Sequence, residues 1–315
     1  MNIIERVAEL LGPIERSNAK SSASSAPNEL DLIERAVRES DEASRSPETR
    51  EYAAKPETHD VALQLKAKPR PAGLTKRPSR TLIVDRHRLQ RQGMIVPDSK
   101  RTPMAECFRR IKRQILANAA KSKIGAPANL VLVTSARAGE GKTFCAINLA
   151  ISIALEIDRT VLLVDADVAK PSVPQALGLK VEQGLMDVLL DRRIELADVL
   201  WNTDIGRLTI LQAGTAHHHA TELLASDAMR LLLLEMAERY HDRIVIFDSP
   251  PVLAASEASA LASQMGQVVM VVEAGKTSDA VLKAALGVIE SSNIAGLLLN
   301  KGERSGHDYD YGGYG

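Results

Sequence analysis

Residues 101–305 read as an α/β domain with a doubly wound, mostly parallel sheet, and three observations carry that reading. Six runs, NLVLVTS, TVLLVDAD, RLTILQAG, RIVIFDSP, QVVMVVEA and AGLLLN, are continuously apolar and do not alternate, the pattern of strands buried on both faces. Stretches with apolar residues at helical spacing, KTFCAINLAISIALEI, ATELLASDAMRLLLLEMAERY and SDAVLKAALGVIESS, stand between several of them, so strand and helix alternate. The first run also passes straight into a Gly-rich turn that opens a helix. Ligands of such sheets bind at the carboxyl ends of the strands.

Ahead of the domain, residues 1–100 read as a largely disordered regulatory region. SNAKSSASSAPNE and KAKPRPAGLTKRPSR hold too little apolar surface to offset chain entropy. NIIERVAELL and LDLIERAVRES are short amphipathic interruptions. The chain of 315 residues carries 40 basic and 40 acidic side chains, but residues 1–60 lean acidic while 66–113 are rich in Lys and Arg, a weak pointer to an anionic partner. Every apolar run falls short of the ~20 residues that cross a bilayer, and two cysteines without ligand spacing, Cys107 and Cys145, predict neither a disulfide framework nor a metal site.

The helix over TPMAECFRRIKRQILANA sets Glu106, Arg109 and Lys112 three residues apart, near one helical face. Next, strand NLVLVTS leads into ARAGEGKT. This is the phosphate-loop pattern in its required strand–loop–helix setting, with Ala136 where the first glycine usually stands. Ala138, Gly139, Glu140 and Gly141 supply the loop whose amides close around phosphate, Lys142 reaches the β and γ oxygens, Thr143 offers a hydroxyl to Mg²⁺, and Phe144 follows. The expected ligand is a nucleotide.

Carboxylates then stand at two strand ends: Asp165 and Asp167 in VLLVDAD, Asp248 in IVIFDSPP. Facing the phosphate loop, such groups hold Mg²⁺ directly or through water. Residues AHHH at 216–219 suit a loop at the site's rim, with Thr221 capping the next helix; adjacent His side chains do not converge on one ion. Asn300 closes the last strand. Beyond it, residues 306–315 form a tail too polar to fold, yet three of the chain's five tyrosines, Tyr309, Tyr311 and Tyr314, lie in it.

The set ARAGEGKT, VLLVDADVAKP and IVIFDSPP resembles the bacterial tyrosine kinases of exopolysaccharide systems, a branch of the deviant phosphate-loop ATPases that includes division-site and partition ATPases. TPMAECFRRIKRQILANA with HHHATELLAS is most similar to stand-alone tyrosine autokinases of exosortase loci. Arg137 stands where the division-site and partition ATPases usually carry Lys, which favours the kinase branch, and Ala169 stands where the kinase family's second motif commonly has Arg. The resemblance implies a protein-tyrosine autokinase using ATP and Mg²⁺, with Lys142, Asp165, Asp167 and Asp248 as the catalytic set. Asp248 and one of the 165/167 pair, with Thr143, would order the metal, and the other, Asp165 by preference, would take the acceptor's proton. Asn300 would meet adenine, and Tyr309, Tyr311 and Tyr314 would be phosphorylated by a neighbouring subunit. Glu106, Arg109 and Lys112 match a helix through which related kinases form rings.

The same resemblance implies further partners: a separate transmembrane chain-length regulator as activator and a tyrosine phosphatase, with no nucleic acid. It places the protein in the cytoplasm, recruited to the inner face of the plasma membrane. Two other readings, a positioning or partition ATPase and a nucleotide-gated binding subunit, have no use for the tyrosine tail.

Overall fold

The computed structural model describes residues 81–97, 102–121, 127–240 and 242–302. The amphipathic N-terminal segments and the three tail tyrosines lie outside them. Eight strands form one sheet: β1 (Thr81–Leu82), β2 (Leu130–Ser135), β3 (Thr160–Asp165), β4 (Leu200–Thr203), β5 (Leu208–Leu211), β6 (Arg243–Asp248), β7 (Gln267–Glu273) and β8 (Ile294–Asn300). Their order is β1-β4-β5-β3-β6-β2-β7-β8, parallel except for the β4–β5 pair. The helices are α1 (Arg86–Arg91), α2 (Pro103–Lys121), α3 (Lys142–Ala154), α4 (Val173–Leu177), α5 (Leu185–Leu190), α6 (Ala220–Leu224), α7 (Asp227–Arg239), α8 (Ser256–Ala262) and α9 (Asp279–Val288).

The apolar runs are continuous because both faces of the sheet are covered. Leu130 and Leu132 of β2 enter one core layer, while Val131 and Val133 enter the other; β3 divides Leu162 and Val164 from Val161 and Leu163 in the same way. Phe247 is completely buried beside Asp248, and truncating it to Ala would cost about 3–5 kcal/mol. Helix α3 is buried along most of its length, so the loop at its start rests on a rigid support.

Four details depart from expectation. Residues 81–97, assigned to the region before the domain, belong to it: Val84, Leu89, Met94 and Ile95 enter the core beside α3. Asp204 fastens them, its Oδ1 accepting from the Val84 amide at 2.9 Å and its Oδ2 pairing with Arg86 at 3.1 Å. Strands β1 and β4 were not predicted, since two and four residues are too few to set a period. The helix expected over 220–240 is broken at Ser226, whose hydroxyl accepts from the Met229 amide and starts α7. Thr221 is inside α6 and does not cap it; His219 precedes that helix without a side-chain cap. No helix among the described residues is long and apolar enough to cross a membrane.

Candidate active site

The loop between β2 and α3 is shaped by its own side chains. Ser135 Oγ donates to the Arg137 carbonyl at 2.7 Å. Glu140 is buried; its Oε2 accepts from the Arg137 amide at 2.8 Å and its Oε1 from the Thr277 hydroxyl beyond β7. Gly139 and Gly141 have φ of +88° and +97°, a region that side chains strain to enter. At Gly141 a Cβ would also lie 2.1 Å from Asn300 Nδ2, so no other residue fits there without displacing Asn300. Helix α3 begins at Lys142 with no side-chain cap, which leaves its first amides and the positive end of its dipole for an anion.

Across from this loop the sheet sets two carboxylates in register: Asp165 ends β3, Asp248 ends β6, and the two residues pair. Asp165 Oδ2 accepts from the Ser172 and Val173 amides at 3.1 and 3.0 Å. Asp248 Oδ2 accepts from the Thr143 hydroxyl at 2.6 Å, and Thr143 Oγ1 is also 2.8 Å from Ser172 Oγ. Asp167, two residues past Asp165, faces Lys142 Nζ at 3.7 Å. All five predicted groups of the phosphate and carboxylate set, Lys142, Thr143, Asp165, Asp167 and Asp248, thus meet at the carboxyl end of the sheet.

Burial raises the Asp165 carboxyl to about 8, reinforced by the charge of Asp248, with the two amides pulling the other way. Burial likewise raises Asp248, against the Thr143 hydrogen bond and the charge of Lys142. Two oxygens, Asp165 Oδ1 and Asp248 Oδ1, are buried without a hydrogen-bond partner. A pair of buried, neighbouring carboxylates with one oxygen each unpartnered, beside a hydroxyl, is a hard-oxygen donor set of the kind that fits a divalent cation. Among the described residues no three His, Cys, Asp or Glu side chains cluster as metal ligands. Mg²⁺ takes one or two carboxylates and fills its other positions with phosphate oxygens and water, a requirement that Asp248 and the Thr143 hydroxyl can serve.

Other predicted residues fall as follows. Asn300 lies against the loop, its Nδ2 donating to the Glu140 carbonyl at 2.9 Å. Phe144 packs edge-on to Phe108 of α2, ring centres 6.5 Å apart, joining the basic helix to the helix that carries the loop. Glu106 and Arg109 form an ion pair of 2.7 Å on the outer side of α2. Lys112 does not join them. Steps of three residues drift backward around a helix of 3.6 residues per turn, and the second step carries Lys112 into the core side. There its ammonium donates to the Ser152 carbonyl at 3.0 Å and pairs with Glu156. The rings of His217 and His218 stack with centres 4.4 Å apart, and that of His219 lies tilted against His218 with centres 4.1 Å apart.

The sequence reading missed two contributors. Ser172 touches Thr143 and caps Asp165, but a serine in a Lys-Pro-Ser-Val-Pro turn carries no motif. Lys301, with φ of 58°, sends its ammonium to the Gly139 carbonyl at 2.6 Å and to Glu273 at 3.2 Å; only the return of β8 beside β7 brings it to the loop.

Comparison with known proteins supplies the lineage of this arrangement. Residues 128–292 match a family described as an AAA domain. Tyrosine-protein kinase YwqD of Bacillus subtilis strain 168 is 34% identical over 206 residues, 64% of this chain and 84% of that one. The chain belongs to the bacterial tyrosine-protein kinase family. A longer relative matches over part of its length: succinoglycan biosynthesis transport protein ExoP of Rhizobium meliloti strain 1021 is 32% identical over 225 residues, 67% of this chain but 27% of ExoP. The fold of this bacterial tyrosine kinase matches that of the kinase domain of Escherichia coli tyrosine kinase ETK, with a TM-score of 0.58 and 26% identity over 73% of this chain and 93% of that one.

Proposed function

We propose that the chain is an ATP-dependent protein-tyrosine autokinase that phosphorylates Tyr309, Tyr311 and Tyr314 of a neighbouring copy. The observation that carries this reading is the meeting of Lys142 with Asp167 and of Thr143 with Asp248, next to its half-unpartnered sheet neighbour Asp165, in a chain whose last seven residues include three tyrosines. Lys142 and the amides at the start of α3 hold the phosphates. Thr143 and Asp248, with Asp167 behind them, are the residues that would hold Mg²⁺. The metal, when bound, neutralises charge on the β and γ phosphates. Asp165, fixed by the Ser172 and Val173 amides, keeps Oδ1 free to take a proton, and its raised pKa suits a base working near neutrality. In the transfer the phenol oxygen bonds to the γ-phosphorus, the β–γ bridging bond breaks to release ADP, and the phenolic proton passes to Asp165. Asn300 would lie beside adenine, on the β8 side of the loop.

Incubating the full chain with Mg-ATP and mapping phosphotyrosine by mass spectrometry tests the reading. Phosphate is expected on the tail tyrosines, and removal of residues 307–315 is expected to abolish autophosphorylation while ATP binding persists. Steady phosphate release to water with an unmodified tail would reject the kinase reading in favour of a positioning ATPase.

We infer further that copies assemble through the outer face of α2, where Glu106 and Arg109 pair with one another at the surface. Sizing Glu106→Ala/Arg109→Ala by light scattering is expected to show a smaller particle and slower phosphorylation between subunits; unchanged mass and rate would reject this contact. The family resemblance supports a role in exopolysaccharide export, as in the stand-alone autokinases, with a separate transmembrane chain-length regulator as activator and a phosphatase to reset the tail. Copurification with a membrane protein of that class is the corresponding test.

A further inference from the structure

A pocket of about 300 Å³ opens next to the phosphate site, lined among others by Thr143, Phe144, Ser172, Gln175, Met94 and Arg88. Its lining includes the two residues whose hydroxyls meet at 2.8 Å, Thr143 Oγ1 and Ser172 Oγ. Its walls come from α1, the first turn of α3 and α4, the helix that follows the Asp165–Asp167 end of β3. None of the lining comes from the β8 end, where Asn300 lies. The pocket therefore adjoins the carboxylate side of the site. Its volume, at the small end of ligand cavities, suits one aromatic side chain and not a nucleotide.

The chemistry of the lining is divided. Phe144 and Met94 offer an apolar wall, and Gln92, Gln175 and Arg88 offer polar ends. Arg88 is the exceptional member. Its backbone amide is held by Asp85 Oδ1 at 2.9 Å, its Nε is buried with no hydrogen-bond partner, and among the described residues its guanidinium makes no ion pair. A cation with a desolvated donor, in the lining of a pocket that also holds the Thr143 and Ser172 hydroxyls, selects for an anion next to an apolar group.

We propose that this pocket is the acceptor subsite, and that its occupant is the tail of a second copy, with a tyrosine ring against Phe144 and Met94 and a flanking aspartate on Arg88. The tail complements it: Asp308 and Asp310 stand on either side of Tyr309, and Asp310 also precedes Tyr311, whereas Tyr314 has glycine on both sides. This inference rests on the kinase reading above and adds to it a specificity residue, Arg88, and a rank order in which Tyr309 and Tyr311 are preferred to Tyr314.

The test is a charge swap in the full chain, read as initial rates of phosphorylation at each tail tyrosine. Arg88→Glu is expected to slow Tyr309 and Tyr311 about tenfold, a coupling of about 1.4 kcal/mol, and Tyr314 much less. Asp308→Lys with Asp310→Lys is expected to do the same in a chain that keeps Arg88, and combining the three substitutions is expected to restore most of the rate. Binding of a fluorescent ATP analogue shows that each variant is folded, and Gln175→Glu, which changes charge without changing size, is expected to mimic Arg88→Glu more weakly. Equal slowing of all three tyrosines, or losses that add in the combined variant without rescue, would overturn the acceptor subsite while leaving the kinase reading intact. Absence of phosphotyrosine in the unsubstituted chain would overturn the kinase reading itself.

Discussion

Asp165→Asn is expected to make the protein more stable and nearly inactive at once. The side chain is buried and its Oδ1 has no hydrogen-bond partner, so ionisation there opposes folding unless a cation is bound. Its folded-state pKa is raised, first by burial and then by Asp248, to about 8. A group raised in this way stabilises the fold most below its unfolded pKa, and that contribution is lost as pH climbs through the folded value. The stability of the nucleotide-free chain should therefore fall between about pH 4 and pH 8. Asparagine keeps the shape and can still accept from the Ser172 and Val173 amides, but it never ionises. Its melting temperature should exceed that of the parent by a margin that grows from pH 5 to pH 8, about 2–4 °C for each kcal/mol in a domain of this size. Kinase activity should drop by about 10²–10⁴-fold, the usual worth of a positioned base. Differential scanning fluorimetry across pH, paired with phosphotyrosine rates, checks both halves; a variant less stable than its parent at pH 8 would mean that the carboxylate is held by something other than a cation site.

The same residue shows what a sequence can and cannot reveal here. That Asp165 ends a buried strand was legible, because TVLLVD is continuously apolar and the acid stands where the run stops. That it is the direct neighbour of Asp248 was not, since 82 positions of chain separate the two and only the sheet order, β3 beside β6, makes them partners. Lys142, Thr143 and the glycines were legible because a phosphate loop is a local device: its amides, its cation and its hydroxyl all come from one turn. Ser172 and Lys301 reach the site through tertiary contacts, and Arg88 comes to line the neighbouring pocket only in the folded chain; none of the three left a local pattern. Lys112 illustrates the opposite error, in which regular spacing suggested a shared face although the helix turns far enough over six residues to bury the third member.

Lys142→Met is expected to lower phosphotyrosine formation by at least about 10²–10³-fold, the range seen when one preorganised charge-stabilising donor is removed. The structural effect follows from what Lys142 does in the nucleotide-free chain: it is buried, lies 3.7 Å from Asp167 and offsets the burial of Asp248, so its loss leaves buried carboxylates without their cation and lowers stability, while an unbranched apolar side chain fills its space. Lys142→Arg should fail as well, because a planar fork cannot replace a compact ammonium in a tight loop. What makes the variant informative is its intact tail. Mixed with a chain that lacks residues 307–315 but keeps Lys142, it brings together a substrate without a competent site and a site without a substrate. If the tail is an acceptor for a neighbouring subunit, phosphate should appear on Tyr309, Tyr311 and Tyr314 of the Lys142→Met chain, at a rate that rises with the concentration of its partner. If the tail reaches only its own site, neither chain alone nor the mixture will be labelled. Intersubunit transfer would then be excluded, even though phosphorylation of the unsubstituted chain would still show it to be a tyrosine kinase.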